Sequence, residues 1–161
     1  KIDNPEEQKV QNMKADVESG ALILDPSKPG NVAKKWIDSN FVHHAHARAA
    51  VPANPINIWA KHPDGRFGRG IQYPFMKPNP GEYVADWDEA RLEPWKRVVR
   101  DLLAYHATHD ESPIGQISCE HIPAVDYGMG HKYSIFENNV ACARWMRDEW
   151  AKALAAAGAK H

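Results

Sequence analysis

Polar and apolar side chains alternate along residues 114–120, Ile-Gly-Gln-Ile-Ser-Cys-Glu, and this alternation predicts a short β-strand. Successive side chains of a strand point to opposite faces, so Gln116, Ser118 and Glu120 share one face and Ile117 lies on the other. The pattern favours a strand with helices on its apolar face and a functional centre around Glu120, at its C-terminal end. The alternative is an edge strand with a solvated acidic tip.

A second alternating run, Phe-Val-His-His-Ala-His-Ala-Arg at residues 41–48, predicts another strand. Its period of two places His44, His46 and Arg48 on one face. A further strand is predicted at residues 21–25, because this apolar run is too short for a helix and is bounded by turn signals. Three strands are thus predicted to end in residues with metal-binding or acid–base side chains.

Helical spacing and capping residues predict four helices, separated by turns and loops. They span residues 4–20, residues 31–40, residues 94–111, and the amphipathic stretch that follows the capping box at 134–137. Residues 49–80 have no helical periodicity and are rich in proline, glycine and aromatic residues, with at most one short strand at 70–75. We expect this segment to be a long functional loop.

Length and composition predict a single globular domain that spans residues 1–161. The formal net charge of -1 argues against nucleic acid as a partner and favours a small polar substrate. No apolar run approaches the length of about 18 residues that a membrane span needs, so no membrane partner is expected. Because Cys119 and Cys142 fall in a predicted strand and a predicted helix, we expect buried thiols and a reducing, cytoplasmic setting.

The predicted strand ends carry a candidate metal site. Asp25, His46 and Glu120 each lie at or near the C-terminal end of a separate strand, and a carboxylate–imidazole–carboxylate set suits manganese, cobalt, magnesium or zinc. Each residue also has an ordinary alternative: Asp25 as a turn former, His46 as a hydrogen-bonded strand histidine, Glu120 as an ion-pair partner. The sequence predicts the site because the three occur together.

The order of short runs along the chain carries a resemblance to a known family. These runs are Leu-Ile-Leu-Asp-Pro-Ser-Lys at 22–28, His-His-Ala-His-Ala-Arg-Ala at 43–49, Ile-Ser-Cys-Glu-His-Ile-Pro at 117–123, and a final amphipathic helix. In this order they resemble the second half of the xylose isomerase-like sugar isomerases and epimerases. The resemblance covers nearly the whole chain.

The resemblance implies an α/β half-barrel that supplies strands five to eight of a TIM barrel. Asp25, His46 and Glu120 match the family's metal ligands on strands five, six and eight, and manganese is the expected ion. The fourth ligand, a glutamate on strand four, would precede Lys1. The resemblance thus implies an N-terminal half-barrel or a second subunit that closes the barrel, and an oligomer.

The resemblance also implies an enzyme that moves a proton next to the carbonyl of a sugar-like substrate, with Glu120 as both metal ligand and acid or base. Two alternatives stay open. The long loop and the Cys-Glu-His-Ile-Pro run are similar to the catalytic subunits of C-glycoside deglycosidases, which cleave a carbon–carbon bond. The other alternative is a non-catalytic half-barrel module that acts in assembly.

Five further residues are candidates for substrate binding. Arg48 would hold a substrate oxygen through its planar guanidinium, and His44 or His121 would orient the substrate or relay a proton. For His44 and Arg48, a structural pairing with a carboxylate is the alternative. Trp59 lies in the long loop, and Lys28 stands where the family usually has a histidine. Arg48 and the next residue also depart from the family, which often has a lysine–aspartate pair there.

Overall fold

The structure is a computed structural model that describes residues 13–50, 57–61, 67–68, 72–83, 86–122 and 132–158, with side chains omitted at 13–14, 57–61 and 67–68. Its elements follow in chain order. They are α1 (Met13–Ser19), α2 (Val32–Asp38), β1 (His44–Ala47), β2 (Asn57–Lys61), β3 (Phe67–Gly68), a 3₁₀ turn (Glu89–Leu92), α3 (Glu93–Thr108), β4 (Gln116–Cys119) and α4 (Ile135–Ala156).

A small parallel sheet of two strands, β1 and β4, lies at the centre of the fold. The register pairs His44 with Gln116 and His46 with Ser118. The predicted α/β class is therefore confirmed, whereas the half-barrel of four strands stays a prediction. The resemblance implied a strand between those of His46 and Glu120, but β1 and β4 are direct neighbours.

The strand predicted at residues 21–25 is wrong. The N–H of Leu22 donates to the carbonyl of Asp16 at 2.9 Å, and the carbonyl of Ile23 accepts from the N–H of Val32 at 2.9 Å. These local hydrogen bonds tie the segment to α1 and to the start of α2, and no strand forms there. Leu24 is 51% exposed, so this apolar run does not enter the core.

The sequence correctly predicted where two helices begin. The Ser134 side chain accepts a hydrogen bond from the N–H of Glu137 at 3.2 Å at the start of α4, as the capping box predicted. Asn31 caps α2 in the same way, through the N–H of Lys34 at 2.9 Å. The helix predicted over residues 4–20 is present as α1, and the first part of that prediction lies outside the described residues. No helix in the described ranges is long and apolar enough to cross a membrane.

Helices α3 and α4 cover one face of the parallel sheet. The main core is formed by buried side chains from β1, α3 and α4: Ala47, Val99, Leu103, Cys142 and Met146. Ile117 and Cys119 of β4 pack against this core. The alternation along β4 therefore places its apolar side chains towards the helices, as predicted, and leaves Gln116, Ser118 and Glu120 on the other face.

The segment predicted as a long loop, residues 49–80, contains more regular structure than its composition indicated. β2 and β3 form a separate antiparallel pair within it. Of the short strand expected at residues 70–75, residues 72–75 are described, and they contribute an isolated bridge between Ala50 and Gln72. Tyr73 is 1% exposed and lies in a second core cluster with Ala49 and Leu92. The end of the segment is therefore part of the folded core.

Candidate functional site

A row of polar side chains lies on the face of the β1–β4 sheet opposite the helices. Because the two strands are parallel, their C-terminal ends meet at one edge of the sheet. Functional groups in α/β proteins gather at such an edge. His46 lies near the end of β1 and Arg48 directly follows it, while Glu120 directly follows β4.

Glu120 is held by two basic side chains of the neighbouring strand. Arg48 donates from Nη2 to Oε2 of Glu120 at 2.6 Å and from Nε to the carbonyl oxygen of Glu120 at 3.0 Å. His46 Nδ1 lies 3.0 Å from the same Oε2. The continued strand register brings residues 48 and 120 opposite each other, so these contacts follow from the pairing of β1 with β4.

The carboxylate of Glu120 is anchored through one oxygen. Both side-chain contacts go to Oε2, and within the described residues Oε1 has no hydrogen-bond partner. The Glu120 side chain is 29% exposed, and that of His46 is 55% exposed. A carboxylate fixed through one oxygen and open at the other can accept a proton from a bound molecule.

A second contact on the same face joins His44 to Ser118. His44 Nε2 lies 3.0 Å from Ser118 Oγ, and Gln116 Nε2 donates to that Oγ at 2.7 Å. The rings of His44 and His46 meet edge to face, with their centroids 4.7 Å apart. The two histidines therefore connect the Ser118 pair with the Glu120 cluster.

His121 lies on the other side of the strand and is 3% exposed. Its N–H donates to Oδ1 of Asn139 at 2.7 Å, and Nδ2 of Asn139 donates to the His121 carbonyl at 3.0 Å. Its Nε2 lies 3.2 Å from the carbonyl oxygen of Tyr73. In this structure His121 connects the end of β4 to α4 and to the segment around Tyr73, away from the polar face.

Asp25 and Lys28 lie in an exposed turn. The Ser27 hydroxyl, together with the Ser27 N–H that donates to Oδ1 of Asp25 at 2.8 Å, holds the pKa of the Asp25 carboxyl below its usual value. The Lys28 N–H donates to the carbonyl of Asp25 at 3.1 Å. The contacts of Asp25 are those of a turn former.

The predicted ligand set is brought together only in part. His46 and Glu120 are neighbours at 3.0 Å. Nowhere in the described ranges does a group of three or more histidine, cysteine, aspartate or glutamate side chains come close enough to hold a metal ion. Asp25 therefore does not join the other two, and the described residues do not by themselves fit a metal centre. Trp59 lies in β2, and its side chain is outside the described residues.

Sequence reasoning left Ser118 and Gln116 out of the site, although the alternation had placed both on the face of Glu120. The contact between Ser118 and His44 depends on the register between two strands more than 70 positions apart, which no local pattern gives, and Gln116 joins it by donating to Ser118. Asn139 was also missed. It follows the buried Asn138 in the first turns of α4, and its spacing from His121 carries no sequence signal.

Comparisons with known proteins found no match: no protein-family model, no curated protein and no solved structure matches the chain.

Proposed function

We propose that this chain is an enzyme that moves a proton next to the carbonyl of a sugar-like substrate, as an isomerase or epimerase does. One observation carries the proposal. Glu120 Oε2 is fixed by His46 at 3.0 Å and by Arg48 at 2.6 Å, while Oε1 has no partner among the described residues. Such a carboxylate is oriented for use as an acid or base and is open to a substrate.

The reaction would proceed through two proton transfers at carbon, with a proton shift between the two oxygens. Oε1 of Glu120 removes a proton from the carbon next to the carbonyl, which leaves an enediolate. The same carboxyl then returns the proton to the former carbonyl carbon, while the hydroxyl proton of the first carbon passes to the former carbonyl oxygen, which gives the isomer. Epimerisation would instead require a second acid that delivers a proton to the opposite face of the first carbon. His46 and Arg48 hold Oε2 throughout, so the carboxylate keeps its orientation in both steps.

A divalent ion, with manganese as the first choice, would polarise the substrate carbonyl in an enzyme of this type. Of the residues described, His46 and Glu120 are the two neighbouring groups that suit it. Since Asp25 does not join them, the proposed steps are assigned to the chain's own side chains. Any metal would need further ligands from elsewhere in the chain or from a partner.

Proton exchange with solvent tests this proposal whichever product the reaction forms. The full chain is incubated with D-fructose in D₂O, with manganese chloride in one sample and EDTA in another. Proton NMR then follows the loss of signal from the protons bound to the carbons next to the carbonyl. We expect exchange in the wild type and a loss of about 100-fold or more in Glu120→Gln, which removes the base but keeps the shape.

Glu111→Gln is the matched control, because Glu111 is an exposed carboxylate outside the cluster. Its exchange rate should equal that of the wild type. A parallel sample with a 3-keto C-glycoside separates isomerase from carbon–carbon lyase, since release of the aglycone reports lysis. If neither substrate exchanges or is cleaved, with or without manganese, or if Glu120→Gln keeps the full rate, the proposal is refuted.

A second candidate function, assembly with another half-barrel, is favoured by the shape of the sheet. Among the described residues β1 and β4 have no other strand neighbour, so each has an open edge. Parallel sheets in α/β proteins are covered on both faces, whereas in the described part of this chain helices cover one face only. We infer a partner of the β/α type that extends this sheet and encloses the polar face.

A further inference from the structure

The polar face carries a second reactive arrangement that the proton-transfer proposal does not use. Ser118 Oγ lies 3.0 Å from Nε2 of His44, within the distance at which a histidine acts as general base for a serine hydroxyl. The two residues belong to the neighbouring strands β4 and β1. The register pairs Ser118 with His46, so His44 reaches the hydroxyl along the diagonal on the same face.

Among the described residues, the Ser118 hydroxyl has two partners at hydrogen-bond distance. Gln116 Nε2 donates to Oγ at 2.7 Å, so this bond occupies an acceptor position of the hydroxyl. The other partner is His44 Nε2 at 3.0 Å. When the ring proton is on Nδ1, Nε2 accepts from the Ser118 O–H, and this is the arrangement in which a histidine takes the proton of a serine.

The pair is open to a reagent. His44 and Gln116 are exposed and Ser118 is half-buried, and helices α3 and α4 lie on the opposite face of the sheet. The edge-to-face contact with His46, at 4.7 Å between centroids, supports the ring of His44 from the side. The geometry thus combines an accessible nucleophile with an oriented base.

We propose that Ser118 is a nucleophile activated by His44, and that it takes an acyl group from a small activated ester. Oγ attacks the carbonyl carbon as its proton moves to Nε2 of His44. The bond from that carbon to the alkoxide oxygen breaks, and His44 returns the proton to the leaving alcohol. Water, deprotonated by the same histidine, then hydrolyses the acyl–serine. This activity is separate from the proton transfer assigned to Glu120.

An alkyl phosphonofluoridate tests the nucleophile directly. Oγ attacks phosphorus, fluoride leaves, and the serine proton passes to His44 and then to solvent. The full chain is treated with the reagent, and mass spectrometry of its peptides measures the labelling rate of each serine. General-base assistance is worth about 100- to 10,000-fold, so Ser118 should be labelled at least about 100 times faster than an unassisted serine.

Ser39 is the internal control, since it is an exposed serine that caps α2 through its backbone N–H. We expect His44→Gln to reduce labelling of Ser118 to the rate at Ser39, and Ser118→Ala to remove the label from that peptide. Circular dichroism checks that both variants fold. Equal labelling of Ser118 and Ser39 in the wild type would overturn the proposal without any variant, as would a His44→Gln protein that is labelled at the wild-type rate.

Discussion

Arg48 and Glu120 lie 72 positions apart in the chain, yet Nη2 of Arg48 donates to Oε2 of Glu120 at 2.6 Å. Their side chains are 25% and 29% exposed, so the ion pair is partly buried. Arg48 also donates to the backbone carbonyl of Glu120, at 3.0 Å, which ties the ends of β1 and β4 together. The contact therefore has a structural role in addition to its role at the proposed site.

A double-mutant cycle measures this contact. Arg48→Ala, Glu120→Gln and the double variant are unfolded with urea, and the free energies of unfolding are compared. We expect an interaction energy of about 0.5–2 kcal/mol, because the pair is partly shielded from water. A cycle that pairs Arg147→Ala, an exposed arginine of α4, with Glu120→Gln should give zero. An Arg48 cycle that also gives zero would contradict the contact.

Two leucine truncations distinguish the observed structure at residues 21–25 from the strand that the sequence predicts. Leu24 is 51% exposed, so Leu24→Ala should lower the free energy of unfolding by less than about 1 kcal/mol. Leu103 is 7% exposed in the main core, and Leu103→Ala should cost about 2–5 kcal/mol. Urea unfolding measures both. Equal losses would mean that Leu24 is buried as a strand residue.

Asn139→Ala should destabilise the protein more than its small change in volume indicates. The amide of Asn139 satisfies both the N–H and the carbonyl of the buried His121, at 2.7 Å and 3.0 Å. Its loss leaves these groups without this partner, which costs about 1–3 kcal/mol in the free energy of unfolding. Asn79→Ala, at an exposed position, is the control and should change it by less than about 0.5 kcal/mol. A loss for Asn139→Ala no larger than that of the control would refute the buried role.

Both cysteines should react slowly with alkylating reagents in the folded protein. Burial raises the pKa of the Cys142 thiol, and burial also raises that of Cys119. The thiolate is the reactive form, so at pH 8 both stay protonated and unreactive towards iodoacetamide. Intact mass after timed quenching should show no modification in buffer and two modified thiols in urea. Rapid modification of both thiols in buffer would show that the core around Cys142 is accessible to the reagent.

The open sheet predicts that the chain associates. In the part of the chain that the structure describes, this sheet has two strands and unpaired edges; such a sheet is marginal by itself, and its edges favour pairing with further strands. Sedimentation should therefore show a species heavier than 18.1 kDa at micromolar concentration, or association with a supplied half-barrel partner. Manganese should bind tightly only in that assembly, because His46 and Glu120 alone provide two ligands. A compact monomer that binds manganese tightly would contradict both statements.

Local patterns predicted the elements that carry the site. Period-two alternation identified β1 and β4 and placed His44 and His46, and likewise Ser118 and Glu120, on one face of each strand. The capping box at Ser134 fixed the start of α4. These predictions were correct because they depend on chain geometry within a few residues. The strand expected at 21–25 failed because hydrogen bonds to residues 16 and 32 gave its backbone groups other partners.

By itself, then, the sequence determined which residues share a face, where most helices begin, and that Glu120 ends a strand. Only the tertiary structure decided that β1 pairs directly with β4, which brings Arg48 and His46 to Glu120 and His44 to Ser118. It also separated Asp25 and His121 from this cluster. Strand register and the packing of helices on one face are set by contacts between residues far apart in the chain, and no short window of sequence contains both partners.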